Sequence, residues 1–297
     1  MTAGPLEWYD SFLDTPERKI FTHDEHGIPG LRSFGYHNTN HAIKSLKEHY
    51  HKNSFEFTFL KRGNLKFSIG DKNYDLTGGD FFFTFPNEVH GSAHQALSIH
   101  EMYWFQIDIS DPNNFLYLSP EIAQKIINEL ENMRQREIKI NNHTAKIFPL
   151  IFDNINSNKS INKIYTSSLI CQLLCYFIEN SQLCENQVTS DIQSSIDYIN
   201  SHIKEKIEIE ELAQVSFLSV SHFKQKFKSQ MGTGPRNYIS FHKIEIAKEM
   251  LEKGYSITRT AIELNFSNSD YFSTVFKRYT FMSPSQYVKN IKDKGIP

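Results

Sequence analysis

The last hundred residues of this chain repeat themselves. Phe223-x3-Phe227-Lys228-x6-Pro235-x2-Tyr238 recurs as Phe272-x3-Phe276-Lys277-x6-Pro284-x2-Tyr287, an offset of 49, and Ala213 recurs as Ala261 at an offset of 48. Such a repeat means two copies of one helical unit, one copy with a turn one residue longer. Each copy reads helix, short turn, helix. Ile209 to Val215 is apolar at Ile209, Leu212 and Ala213; Ser216-Phe217-Leu218 is the turn, and Ser219 caps the next helix. In the second copy, Ile257 to Leu264 ends at Asn265, a residue tolerant of left-handed backbone, and Ser267 or Asn268 caps the helix carrying Phe272 and Phe276. This is a helix-turn-helix pattern, whose second helix can enter a DNA major groove.

The stretch SVSHFKQKFKSQMG (Ser219–Gly232) holds three lysines and no acid. At about 100° per residue, Val220, Phe223, Phe227 and Met231 share an arc of roughly 80°. Lys224, Lys228, Ser221 and Gln225 follow on one flank, and Lys226 lies on the other. The helix therefore combines a narrow buried seam with a basic, hydrogen-bonding flank. Lys224 and Lys228 can neutralise phosphates; Ser221, Lys224 and Gln225 can reach base edges. Between the copies, PRNYISFHKIEIAKEMLEKG starts with Pro235 in a first turn and stops at Gly254. Eighteen helical residues span about 27 Å, a rigid connector that sets two recognition helices roughly one DNA turn apart, about 34 Å.

Charge fits this division. The net charge of −2 conceals 15 Lys and Arg against 12 Asp and Glu from Thr189 onward, and so 17 against 22 before it. The C-terminal part is the half suited to an anionic partner. Three cysteines (Cys171, Cys175, Cys184) are too few and odd in number for a disulfide framework, and Cys171 and Cys175 read as small buried residues of a helix. No leader and no run of membrane-spanning length is expected, which predicts a soluble cytoplasmic protein. No nucleophile elbow, phosphate loop or dinucleotide fingerprint stands in the sequence, and no cofactor is expected.

The N-terminal half reads as β. Phe55, Phe57 and Phe59 alternate with Glu56, Thr58 and Leu60; Leu65, Phe67 and Ile69 alternate with polar residues; Tyr103, Phe105, Ile107 and Ile109 lie opposite Trp104, Gln106 and Asp108. Period two with phenylalanine and isoleucine indicates half-buried strands. Turns are expected at Arg62-Gly63-Asn64, Gly70 to Asn73, Gly78-Gly79-Asp80 and Pro86-Asn87, giving a sandwich or small barrel. Helices are expected from Ser119 onward, the longest around Asn162 to Asn180, whose wide apolar surface near Leu169, Leu173 and Phe177 predicts a homodimer contact. Ser181 to Ser190 reads as an interdomain linker.

ELAQVSFLSVSHFKQKF, IEIAKEML and TAIELNFSNSDYFSTVFKRYTFMSPSQYVK together resemble the AraC/XylS family of bacterial transcription regulators over about the last 105 residues. The resemblance implies recognition residues Ser221, Lys224 and Gln225 in the first unit and Ser269, Asp270 and Thr274 in the second. The family's usual glycines stand here as Asn265 and Phe281, and its common arginine as Thr274. The second unit is therefore expected to read few bases and to clamp the backbone through Lys277 and Arg278. Duplex DNA is the expected partner and RNA polymerase a further candidate; an activator is the reading taken, with repression left open.

His49-x-His51-x4-Glu56-x6-Gly63 and Gly79-x6-Pro86-x3-His90 resemble the two cupin motifs. Three readings of His49, His51, Glu56 and His90 stay open: a divalent-metal site, the lining of an organic-ligand pocket, or structure alone. Trp104, Gln106 and Asp108 form either a sugar-binding face or an outward one. Nine of the 13 histidines fall between His23 and His100, and their plain reading is surface and strand-end positions. The resemblance implies that the segment from Leu31 to Tyr36 and before covers the barrel mouth. The expected whole is an α+β chain of two domains. Residues 1–183 form a cupin-like β-barrel with flanking helices, sensing a small effector, a carbohydrate, and dimerising. Residues 189–297 form an all-α double helix-turn-helix. The expected function is a ligand-responsive regulator of a sugar-utilisation operon; the rival is a metal-dependent cupin enzyme or metal sensor with a DNA-binding module.

Overall fold

The computed structural model describes residues 6–7, 15–92, 95–181, 188–231 and 233–293. Most of the linker expected at Ser181 to Ser190, with Cys184, lies outside the described residues, as does most of the stretch read for a leader. Among the described residues the strands are β1 (Leu6–Glu7), β2 (Arg18–Thr22), β3 (Leu31–Asn38), β4 (His49–Tyr50), β5 (Ser54–Ile69), β6 (Lys72–Thr77), β7 (Asp80–Thr84), β8 (His90–Gly91), β9 (His100–Asp108) and β10 (Glu137–Lys139). The helices are α1 (His23–His26), α2 (Pro120–Glu131), α3 (Asn142–Ala145), α4 (Ile147–Asn154), α5 (Ser160–Ser181), α6 (Ser190–Ser201), α7 (Ile209–Val215), α8 (Val220–Met231), α9 (Pro235–Glu252), α10 (Ile257–Glu263), α11 (Ser269–Thr280) and α12 (Pro284–Asp293).

β5 organises the N-terminal barrel. Its first half pairs with β9 and β7, its second with β6 and β8. The turn expected at Arg62-Gly63-Asn64 is instead the corner of this one strand. A register shift falls between Leu60 and Arg62, and Gly63 has φ +106°, with space for a Cβ blocked by the Ile99 carbonyl oxygen at 2.2 Å. A bulge plus a left-handed glycine bends a strand without ending it.

The alternating pattern is buried on both faces, not one. Phe55, Phe57, Phe59, Tyr103, Phe105 and Ile107 pack outward under α2, α4 and α5. Leu60, Leu65, Phe67, Phe82, Met102 and Trp104 fill the barrel interior. Trp104 is therefore internal. The apolar side of α5 at Leu169, Leu173 and Phe177 is spent on this same core: the Phe177 ring lies 4.7 Å from that of Phe81 and 5.1 Å from that of Phe83. The face expected to join a second copy is intramolecular, because a sheet with two buried faces needs a cover. Cys175 on α5 is exposed and Cys171 half-buried, not core. Leu31–Tyr36 is no lid; it belongs to β3, paired with β9 along its length.

The C-terminal helices form two small cores with matching geometry. Phe223 meets Phe227 at 5.4 Å, and Phe227 meets Tyr238 edge-on at 5.4 Å. Their repeat partners do the same: Phe272 and Phe276 at 5.6 Å, Phe276 and Tyr287 at 5.4 Å. The connector α9 has the expected 18 residues, from a first-turn proline to Gly254 at φ +83°.

Candidate functional site

On α8 the buried seam is Phe223, Phe227 and Met231. Ser221, Lys224, Gln225 and Lys228 are exposed. On the opposite flank Lys226 donates to Asp191 Oδ2 of α6 at 2.6 Å. That bond, aided by a hydrogen bond from Thr189, holds the Asp191 carboxyl down at about 2. One lysine thus fastens the helix, and the other two face outward.

In the second unit Asn268 is the cap, its Oδ1 accepting from Tyr271 N at 2.7 Å. Asp270, Thr274, Lys277 and Arg278 are exposed on α11, and Ser269 is half-buried. Thr274 Oγ1 donates back to the Asp270 carbonyl at 3.0 Å. The turn positions match across the repeat: Asn265 has φ +55°, as expected, and Phe217 has φ +52°. Phe217 is 93% exposed, so a bulky residue holds a left-handed turn with no packing to offset the strain.

Sequence reading missed Lys243. It is buried on α9 and donates to the Glu205 carbonyl before α7 at 3.0 Å and to the Leu264 carbonyl after α10 at 2.7 Å. Burial lowers its pKa. One ammonium therefore ties both helix-turn-helix units to the connector. Its signal was a lysine four residues after Ile239 and four before Ala247, on the apolar stripe.

In the barrel, β4, β5 and β8 bring His49, His51, Glu56 and His90 together, all buried, with one ligand atom from each lying within 4.8 Å of the others. His51 Nε2 is 3.0 Å from Glu56 Oε2 and His90 Nε2 is 3.6 Å from Glu56 Oε1. Burial favours the neutral Glu56 acid, but His51 and His90 outweigh it and hold the carboxyl well below its usual range. Burial opposes and Glu56 supports the charged form of His90, whose pKa ends raised. Burial and His90 push His49 down to about 4. His49 Nδ1 faces the Lys47 carbonyl at 2.7 Å and His90 Nδ1 faces that of Glu88 at 2.8 Å. A carbonyl at Nδ1 fixes a proton there, as in imidazoles that bind a metal through Nε2. His90 Nε2 has no hydrogen-bond partner.

Trp104 and Gln106 line the same cavity, together with His37 and Arg18, which sequence reading did not select. The cavity measures ≈ 70 Å³. Gln106 is engaged internally, accepting from Ser33 Oγ at 3.0 Å and donating to Glu56 Oε2 at 3.0 Å. Asp108 is not in the cavity; it accepts from Ser110 N and Oγ at the strand end. Six of the nine N-terminal histidines, His26, His37, His49, His51, His90 and His100, are buried and not at the surface.

Residues 212–290 match the family described as a helix-turn-helix domain, and residues 42–100 match the cupin domain family. The chain is 37% identical over 92 residues to the probable transcriptional regulator LumQ of Photobacterium leiognathi, covering 31% of this chain and 37% of that one. It is 34% identical over 107 residues to YobQ of Bacillus subtilis, described as an uncharacterised HTH-type transcriptional regulator, covering 36% and 44%. The chain spans less than half of the length of these relatives. Among solved structures, ToxT from Vibrio cholerae aligns over 92% of this chain and 98% of its own with 13% identity and a TM-score of 0.34. Among the described residues, no helix is long and apolar enough to cross a membrane.

Proposed function

We propose that this chain, which belongs to the AraC type and carries a cupin domain ahead of its helix-turn-helix domain, is a cytoplasmic transcription regulator. In this reading it binds duplex DNA through α8 and α11 and is tuned by the occupant of the barrel. One observation carries it. Both units present an exposed polar face on the second helix, at equivalent repeat positions, while the opposite faces lock into matched cores. Ser221, Lys224 and Gln225 read bases in the first unit; Lys228 and Lys277 hold phosphates. Selection of duplexes from a randomised pool by the full chain tests this. The expected product is a motif with two blocks about 10 base pairs apart on one face. Recovery of no motif counts against it.

For the occupant, the cavity favours a divalent transition metal over a sugar. Small-molecule sites run to about 300–1,000 Å³, and this cavity is ≈ 70 Å³. A sugar-operon effector would have to expand the barrel and displace bonds that Gln106 already makes. Three imidazoles and one carboxylate suit a first-row ion at about 2.0–2.2 Å from each donor. Elemental analysis of the purified chain against His90→Ala distinguishes the two: a stoichiometric metal lost in the variant supports the ion, and sugar binding without metal supports the sugar.

A further inference from the structure

We propose that Phe217, in the turn between α7 and α8, contacts DNA and reads the methyl group of a thymine beside the bases that α8 addresses. This rests on the DNA-binding reading and adds to it an apolar residue that the polar face of α8 does not supply.

The second unit holds the same turn without the ring. In the first unit Phe217 N donates to the Gln214 carbonyl at 2.9 Å and Leu218 N to that of Ala213 at 2.9 Å. In the second, Asn265 N donates to the Ile262 carbonyl at 3.0 Å and Phe266 N to that of Ala261 at 2.9 Å. Both turns need a left-handed residue, with φ +52° at Phe217 and +55° at Asn265. Asparagine visits that region readily. Phenylalanine strains the backbone there, and the Phe217 ring is 93% exposed to water besides. Neither cost secures the fold, because the next residue, Leu218, is the one that packs on the core of the first unit. Strain and apolar exposure kept at one position point to a contact outside the chain.

DNA is the partner that the position favours. Phe217 lies two residues before Ser219, whose Oγ accepts from His222 N at 3.3 Å at the start of α8, and four before Ser221. The amino-terminal end of a recognition helix is the end that meets base edges. The helix that follows carries three lysines and no acid, which suits a polyanion better than a protein surface of mixed charge. Among the base edges of the major groove only thymine presents an apolar group, its C5 methyl, and phenylalanine is one of the side chains that meets it.

The test measures affinity of the full chain for the duplex it selects from a randomised pool, with each thymine replaced in turn by deoxyuridine, which lacks only the methyl. One position in or beside the first block is expected to lose about fourfold, the worth of one methyl group taken from water. Phe217→Asn, which takes the residue of the second unit and keeps the turn, is expected to lose about fourfold on the thymine duplex and to be indifferent to deoxyuridine at that position. A selected site with no thymine there, equal affinity for every deoxyuridine duplex, or losses that Phe217→Asn shares at every position overturns the assignment. So does Phe217→Asn binding every duplex as the wild type does while transcribing less with RNA polymerase, which makes the ring a protein contact. A motif without a Phe217-dependent thymine removes this inference alone; recovery of no motif removes the DNA-binding reading and this inference with it.

Discussion

Lys226 Nζ lies 2.6 Å from Asp191 Oδ2, while Lys224 and Lys228, on the same helix, make no ion pair among the described residues. Neighbouring lysines on α8 therefore have separate roles. Lys226→Ala is expected to lower stability by no more than about 1 kcal/mol, as for a partly exposed pair, and to leave DNA affinity nearly unchanged. Gln225→Ala is expected to relax preference at one or two base pairs and cost about 1–3 kcal/mol on the cognate site. Equal losses on cognate and random DNA would remove Gln225 from base reading.

Lys243→Met keeps the apolar stem but strands the Glu205 and Leu264 carbonyls. Leaving a buried acceptor unsatisfied costs about 1–3 kcal/mol, measurable by urea denaturation. An unchanged midpoint would mean that the two units do not depend on this tie.

Phe217 occupies left-handed backbone with its side chain in solvent. Asparagine, which holds the same place in the second unit, visits that region readily. Phe217→Asn is expected to stabilise the domain by up to about 1 kcal/mol in thermal unfolding. A loss of stability would show that the ring has a partner this arrangement does not contain.

The barrel is expected to be acid-labile. Burial pushes His26 and His37 down to about 3 and His100 to about 4. These groups stay neutral in the fold while the unfolded chain takes up protons below about 6.5. Stability is then full above pH 6.5 and falls as pH drops toward 4, by about 1.4 kcal/mol per pH unit for each group. A melting temperature flat between pH 7 and 5 would contradict these burials.

The repeat made the C-terminal domain legible, because each copy must bury the same aromatic seam and so carries the same spacing. Asn265 in a left-handed turn and the 18-residue connector followed from local chemistry. The barrel was less legible. Strict alternation signals one polar face, and here that face is the barrel interior, where Gln106 donates to Glu56 and Glu56 pairs with His51. The same cause misassigned Leu169, Leu173 and Phe177: α5 covers the outer sheet face with them, a need that no periodicity in α5 reveals. Gly63 looked like a turn because a strand corner and a hairpin both call for positive φ. Lys243, a charge on an apolar stripe, was a signal that spacing alone could not interpret.

The salt dependence of duplex binding by the full chain tests the central claim most directly. The logarithm of affinity for the selected duplex is expected to fall linearly with the logarithm of salt, with a slope of about −0.9 per phosphate contact. Lys228→Ala and Lys277→Ala are each expected to weaken cognate and random DNA alike and to shrink that slope by about 1. No binding at low salt, or a slope that neither substitution changes, would contradict the assignment of α8 and α11 to DNA.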